Sequence, residues 1–149
     1  MPPSAKTWIY LAAAIATLGS AIHIGAIFGG ADWYAFFGAP PRIVESARTG
    51  TPLAPLSAAA IAGLMALCAA YACSAAGLIR RLPLLRLMLA GMAGLCLLRA
   101  LVLPLLAIRH PELRNTFEIV AATVWGLAGA GFAVGFLRSR VGQYAPATR

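Results

Sequence analysis

The stretch from residue 84 to residue 108 reads LLRLMLAGMAGLCLLRALVLPLLAI, and its two charged residues are Arg86 and Arg99. A helix that crosses the hydrocarbon core of a bilayer needs about 20 mostly apolar residues. This stretch exceeds that length, and it contains glycine and small residues that a helix in lipid tolerates. It therefore predicts a membrane-spanning helix.

Three further runs of the chain have the same apolar character: residues 8–29, 53–79 and 116–137. Breaking residues separate the runs, with Gly30 after the first, Pro52 before the second, and Pro83 and Pro111 on either side of the third. The pattern predicts one domain, 1–149, with spans at about 8–29, 53–79, 84–108 and 116–137. An outer loop at 30–52 and a cytoplasmic loop at 80–83 complete the expected topology.

The composition supports lipid as part of the solvent of this chain. Mean hydropathy is +0.84, and 61% of residues are hydrophobic while 11% are charged. Soluble domains carry about 25% charged residues, so this chain has too few to cover a soluble globule. The expected fold is an all-α, integral membrane bundle of four transmembrane helices.

The first run has a second interpretation as a secretory signal peptide. Lys6 would supply the positive n-region, and Gly19-Ser20-Ala21 would supply a cleavage site. The apolar stretch continues to Phe28, however, and is longer than the 7–15 residues typical of a signal-peptide core. Retention of the run as a helix is the favoured interpretation.

Basic residues set the expected orientation, because short cytoplasmic loops carry an excess of Lys and Arg. Four basic residues fall on one side of the predicted spans: Arg42, Arg48, Arg109 and Arg114. Seven fall on the other side: Lys6, Arg80, Arg81, Arg86, Arg138, Arg140 and Arg149. We expect both termini to be cytoplasmic, in a bacterial inner membrane. The net charge of +8 lies at the ends of apolar runs, so a nucleic-acid partner is not expected.

The predicted outer loop begins with the segment Asp32-Trp33-Tyr34-Ala35-Phe36-Phe37. Trp and Tyr favour the lipid headgroup layer, so an interfacial anchor is the favoured interpretation, and a lid over a pocket between helices is the alternative. Farther along, Pro40, Pro41 and Gly50 bracket about two helical turns. We expect a short interfacial helix there.

Ionisable residues within spans are expensive and point to function, and three candidates stand out in the predicted spans. Arg99 lies deep in the third span, and Glu118 lies about one turn inside the fourth, at heights that differ by roughly 9 Å. His23 shares a helix face with Ser20 and Gly19, so it is expected to face other helices. The candidate ligand site is a polar cluster with an aromatic roof: His23, Arg99, Glu118, Asp32, Trp33 and Tyr34. The alternative is a structural ion pair plus a histidine that bonds a neighbouring carbonyl.

Metal and cofactor sites are not expected. The two histidines are His23 and His110, and the three cysteines form no C-x-x-C motif. Small-residue rows, including Gly131 and Gly135 in a G-x-x-x-G pattern, favour close helix packing. Such rows serve contacts within one chain or between copies of a homo-oligomer, and the sequence does not separate the two.

Three segments of the chain resemble a group of small bacterial four-helix membrane proteins: Ala21-Ile22-His23-Ile24-Gly25-Ala26, then Asp32 to Pro40, then Gly77 to Arg86. The likeness is at the level of short motifs in the first two-thirds of the chain. It implies a four-helix membrane fold and carries no activity, so it transfers no functional residues.

The sequence favours a binding role over catalysis. The expected ligand is a lipid-like or amphipathic molecule, or a membrane partner, in the outer half of the bundle, with membrane lipids as the natural partners. The alternative is an enzyme acting on a lipid or isoprenoid, with His23 and either Glu118 or Asp32 moving protons. A small transporter is disfavoured, because the inner halves of the spans contain no acid or histidine.

Overall fold

A computed structural model describes residues 3–111 and 116–139. Within these ranges the chain forms five helices and no strand: α1 (Pro3–Phe36), α2 (Pro41–Thr49), α3 (Leu53–Ala76), α4 (Leu85–Arg109) and α5 (Thr116–Arg138). The all-α prediction is confirmed for this part of the chain. Four of the helices, all except α2, are long and apolar enough to cross a membrane. The architecture is consistent with a multi-pass membrane protein.

Glycines determine several of the helix ends. Gly30 has φ 69° and ψ −161°, which breaks the α-helical path inside α1 just after the predicted limit of the first span. Gly50, at φ 70°, closes α2 by donating its N–H to the Ser46 carbonyl. Gly77, at φ 80°, ends α3 before the predicted limit at Ile79. These left-handed conformations favour glycine, which lacks a Cβ.

The helices divide into two compact units. One comprises residues 16–67, and the other comprises the residues up to Ile15 and from Cys68 onward. The expectation of a single domain, the cytoplasmic termini and the interfacial position of α2 remain predictions.

The unit that contains α4 and α5 is built on close contacts between small and large residues. Ile9 and Leu89 are fully buried, and Phe132 packs in the same cluster. An added Cβ at Gly129 would lie 2.8 Å from the Leu97 Cγ, so α4 and α5 approach closely at this position. Gly131 lies directly against the Trp8 carbonyl of α1. Here the small residues of α5 serve packing within one chain, as expected for helices in lipid.

The unit of residues 16–67 joins parts of α1 and α3 through a polar bond and an alanine-rich contact. The Ser20 hydroxyl donates to the Ala62 carbonyl at 2.9 Å. Ala26, Ala54 and Ala58 are buried together with Tyr34, and the apolar face of α2 packs on this cluster. The short helix predicted from the flanking prolines and glycine is therefore present and has a packed face.

Candidate ligand-binding site

Arg99 and Glu118 meet across the α4–α5 contact. The Arg99 Nη2 atom lies 3.5 Å from the Glu118 Oε2 atom, and the two side chains are 43% and 22% exposed. Charge-assisted hydrogen bonds are usually about 2.7–2.9 Å long. The contact is therefore a loose one, and it leaves most of the guanidinium N–H groups for other acceptors.

The register of α4 and α5 explains why this pair is stretched. Leu97 is level with Gly129, and Ala100 is level with Gly126, so the two helices run antiparallel. In that register Glu118 is level with Ile108, and nine residues separate Ile108 from Arg99, which is about 13 Å along the helix. This offset exceeds the roughly 9 Å estimated from span positions alone. Both side chains must therefore extend along the helix axes toward each other.

The surface around Arg99 is apolar. Leu95 and Leu106, which share its face of α4 by helical spacing, are 66% and 46% exposed. On α5, Ala121 and Ala122 share the face of Glu118 and are half-buried. The guanidinium thus emerges from an aliphatic surface on a helix that is apolar enough to cross a membrane.

His23 forms a local hydrogen bond. Its Nδ1 atom lies 2.8 Å from the Gly19 carbonyl oxygen, one turn earlier in α1. A carbonyl only accepts, so Nδ1 donates in this bond and Nε2 is the ring nitrogen outside it. This geometry is the one expected of a histidine that bonds a neighbouring carbonyl.

The aromatic segment after the Gly30 break has two differently placed rings. The Trp33 ring packs against Gly25 and Gly29, and an added Cβ at Gly25 would lie 3.1 Å from it. Trp33 is nevertheless partly exposed, and Asp32 is exposed. Tyr34 points inward, is 6% exposed, and its hydroxyl has no hydrogen-bond partner among the described residues. The segment combines a surface ring with an interior ring.

Tyr34 also borders a cavity of about 160 Å³ within the unit of residues 16–67. Its walls are formed by Ile27, Gly30, Tyr34, Ala47, Gly50, Thr51 and Pro55. The Tyr34 hydroxyl itself is sealed from solvent. The cavity is therefore lined by the tyrosine ring, aliphatic groups and Thr51.

The six predicted site residues fall in two groups. Arg99 and Glu118 are in contact in one unit. The other four lie in the unit of residues 16–67: His23, Asp32, Trp33 and Tyr34. The joint cluster of all six remains a prediction. No group of three or more His, Cys, Asp or Glu side chains able to hold a metal occurs among the described residues.

Sequence reasoning missed a set of contacts near the start of α4, within the unit that contains α4 and α5. The Arg86 guanidinium lies 5.0 Å from the centroid of the Phe136 ring. The Tyr71 hydroxyl donates to the Pro83 carbonyl at 3.1 Å, and the Ser74 hydroxyl donates to the Arg80 carbonyl at 3.2 Å. Arg86 and Phe136 lie far apart in the sequence, so no local pattern predicts their contact.

Comparisons of this chain with protein-family models, with curated proteins and with solved structures found no significant match.

Proposed function

We propose that this chain is a small multi-pass membrane protein that binds a lipid-like, amphipathic molecule at Arg99. One observation carries the proposal: an arginine whose side chain is 43% exposed lies near the middle of an apolar helix. An arginine at the centre of a membrane helix costs roughly 2.5–3.5 kcal/mol on insertion scales. Residues of this kind mark binding sites and pathways in membrane proteins.

The chemistry around Arg99 fits a ligand with an acidic or strongly accepting headgroup and an apolar chain. Arginine has five N–H donors, and the Glu118 contact engages one of them. A carboxylate or phosphate oxygen of the ligand would accept from the others. The exposed side chains of Leu95 and Leu106 would pack along the chain of the ligand.

Glu118 has a distinct role in this proposal. It compensates the charge of Arg99 when no ligand is bound, and it holds the guanidinium extended along the helix. Because the contact is 3.5 Å long, an incoming anion would exchange with the carboxylate at little loss of hydrogen bonding. In this proposal the Glu118 carboxylate pairs with Arg99 in the unbound protein, and the anionic group of the ligand takes its place in the bound protein.

The experiment is a comparison of molecules that copurify with three forms of the full chain in a mild detergent. Native mass spectrometry would compare the unmodified protein with Arg99→Met and with Arg109→Met, an exposed arginine at the end of the same helix. We expect an adduct that Arg99→Met loses and Arg109→Met keeps. If Arg99→Met retains every adduct that the unmodified protein carries, with helical content unchanged, the proposal is refuted.

A second candidate is an enzyme that uses His23 as a base, and the hydrogen bond between Nδ1 and the Gly19 carbonyl favours it. With Nδ1 donating to Gly19, Nε2 is positioned by the helix to accept a proton. His23→Gln should abolish any conversion of a total bacterial lipid extract that the unmodified protein catalyses. Conversion that persists in this variant would exclude the role.

A further inference from the structure

The loop between α3 and α4 is held in one conformation by buried side chains. Ser74 is buried, and its hydroxyl donates to the Arg80 carbonyl and accepts from the Leu82 N–H at 3.0 Å. Tyr71, also buried, fixes the Pro83 carbonyl. These hydrogen bonds fix the backbone of the loop that carries Arg80 and Arg81.

Arg86 is oriented by an aromatic ring. Its guanidinium lies over Phe136, and its Nε atom is buried without a hydrogen-bond partner among the described residues. Contacts of this type fix the plane of a guanidinium while leaving its charge uncompensated. Two residues beyond Phe136, Arg138 lies exposed in the last turn of α5.

Four arginines therefore gather at the end where α4 begins and α5 ends, and we call this region the basic end: Arg80, Arg81, Arg86 and Arg138. Among the described residues of this unit, Glu118 is the one carboxylate. It lies twenty residues from Arg138 along α5, about 30 Å away. No described carboxylate of this unit balances the basic end.

We propose that the basic end binds the headgroup phosphates of anionic phospholipids in the adjacent leaflet. The planar fork of arginine matches phosphate oxygens in pairs. Exposed apolar side chains lie beside the arginines: Leu78, Ile79, Leu84 and Leu87. These side chains would contact acyl chains, which favours a lipid over a soluble phosphate. The site is independent of the ligand proposed at Arg99.

The test uses the full chain in mild detergent, titrated with dioleoyl-phosphatidylglycerol or dioleoyl-phosphatidylcholine and followed by native mass spectrometry. Each basic residue near an anionic surface strengthens binding about fivefold. Arg80→Gln with Arg81→Gln should therefore weaken phosphatidylglycerol binding about 25-fold and leave phosphatidylcholine binding unchanged. The matched control is Arg42→Gln with Arg48→Gln, which removes equal charge from two exposed positions of α2. It should bind as the unmodified protein does.

Arg86→Lys supplies a second readout, because it keeps the charge and removes the planar fork. We expect weaker phosphatidylglycerol binding with the same far-ultraviolet circular dichroism spectrum. Equal losses in both double variants, or no preference for phosphatidylglycerol in the unmodified protein, would overturn the proposal. Displacement of the lipid by millimolar inorganic phosphate would also overturn it, since that result would assign the arginines to a soluble anion.

Discussion

Gly131 offers the sharpest test of the packing between α1 and α5. A Cβ added at this position would collide with the Trp8 carbonyl oxygen and with the Ala12 Cβ. Neither group can rotate away, because one belongs to helix backbone and the other is the single carbon of an alanine. Gly131→Ala must therefore separate the helices.

The size of the effect follows from a comparison with Gly126→Ala in the same helix. A Cβ at Gly126 would lie 3.7 Å from the Ala100 Cβ, which is an ordinary contact. Both variants gain the same helix propensity, about 1 kcal/mol per Gly-to-Ala change, so that gain cancels between them. What remains is the overpacking at Gly131, typically about 1–3 kcal/mol. Gly131→Ala should be less stable than Gly126→Ala by this amount.

The assay is reversible unfolding of the full chain in mixed micelles of mild detergent and sodium dodecyl sulfate, followed by circular dichroism. We expect a lower midpoint for Gly131→Ala than for Gly126→Ala. Equal midpoints would show that α1 does not contact Gly131 as described. Sedimentation of the two variants checks their oligomeric state. If Gly131→Ala is less stable and its oligomeric mass is unchanged, the contact at Gly131 lies within one chain.

Three further substitutions test local contacts. Tyr34→Phe removes a buried hydroxyl that has no partner among the described residues, and it should raise the free energy of unfolding by about 1 kcal/mol; a loss of stability would contradict this. Ser46→Ala removes the acceptor of the Ala54 N–H bond, 2.9 Å long, so hydrogen exchange at Ala54 should accelerate about fivefold, corresponding to a loss of about 1 kcal/mol. An unchanged exchange rate would show that Ser46 does not cap α3. Tyr71→Phe should lower stability by about 0.5–1.5 kcal/mol in the same unfolding assay, through loss of the bond to Pro83, and an unchanged midpoint would contradict that contact.

The helices could be predicted from the sequence because their signals are local. Apolar runs and flanking prolines indicated α3, α4 and α5, and the bracket of Pro41 and Gly50 matches the limits of α2. The end of α3 was misplaced beyond Gly77, since the apolar side chains of Leu78 and Ile79 continue after the helix stops. Hydropathy does not report backbone conformation, and a left-handed glycine ends a helix inside an apolar run.

The candidate site could be predicted only in part. The depths of Arg99 and Glu118 in their spans indicated that they could meet, and they do. The distance between Arg99 and Glu118 along the helix axes is larger than the sequence predicts. The register of α4 and α5 depends on the packing of Leu97 against Gly129 and of Ala100 against Gly126. Residue spacing along the sequence does not determine which residues of α4 pack against which residues of α5.

The contact between Arg86 and Phe136 was not predicted for a related reason. Arg86 was counted among the basic residues that set orientation, and nothing near it in sequence indicates an aromatic partner. The short hydrogen-bonded loop that precedes α4 likewise depends on Ser74 and Tyr71, and no motif in the sequence indicates these bonds. Tertiary packing gives these residues their roles.

In the proposed function, Arg99 binds the ligand and its pairing with Glu118 is secondary. The double variant Arg99→Met with Glu118→Gln tests this directly, because it removes both charges together and leaves neither unpaired in the span. In native mass spectra of the detergent-purified chain, we predict a folded protein of at least unchanged stability that has lost the amphipathic adduct of the unmodified form. A double variant that keeps the adduct, or an unmodified protein that carries none, would contradict the account.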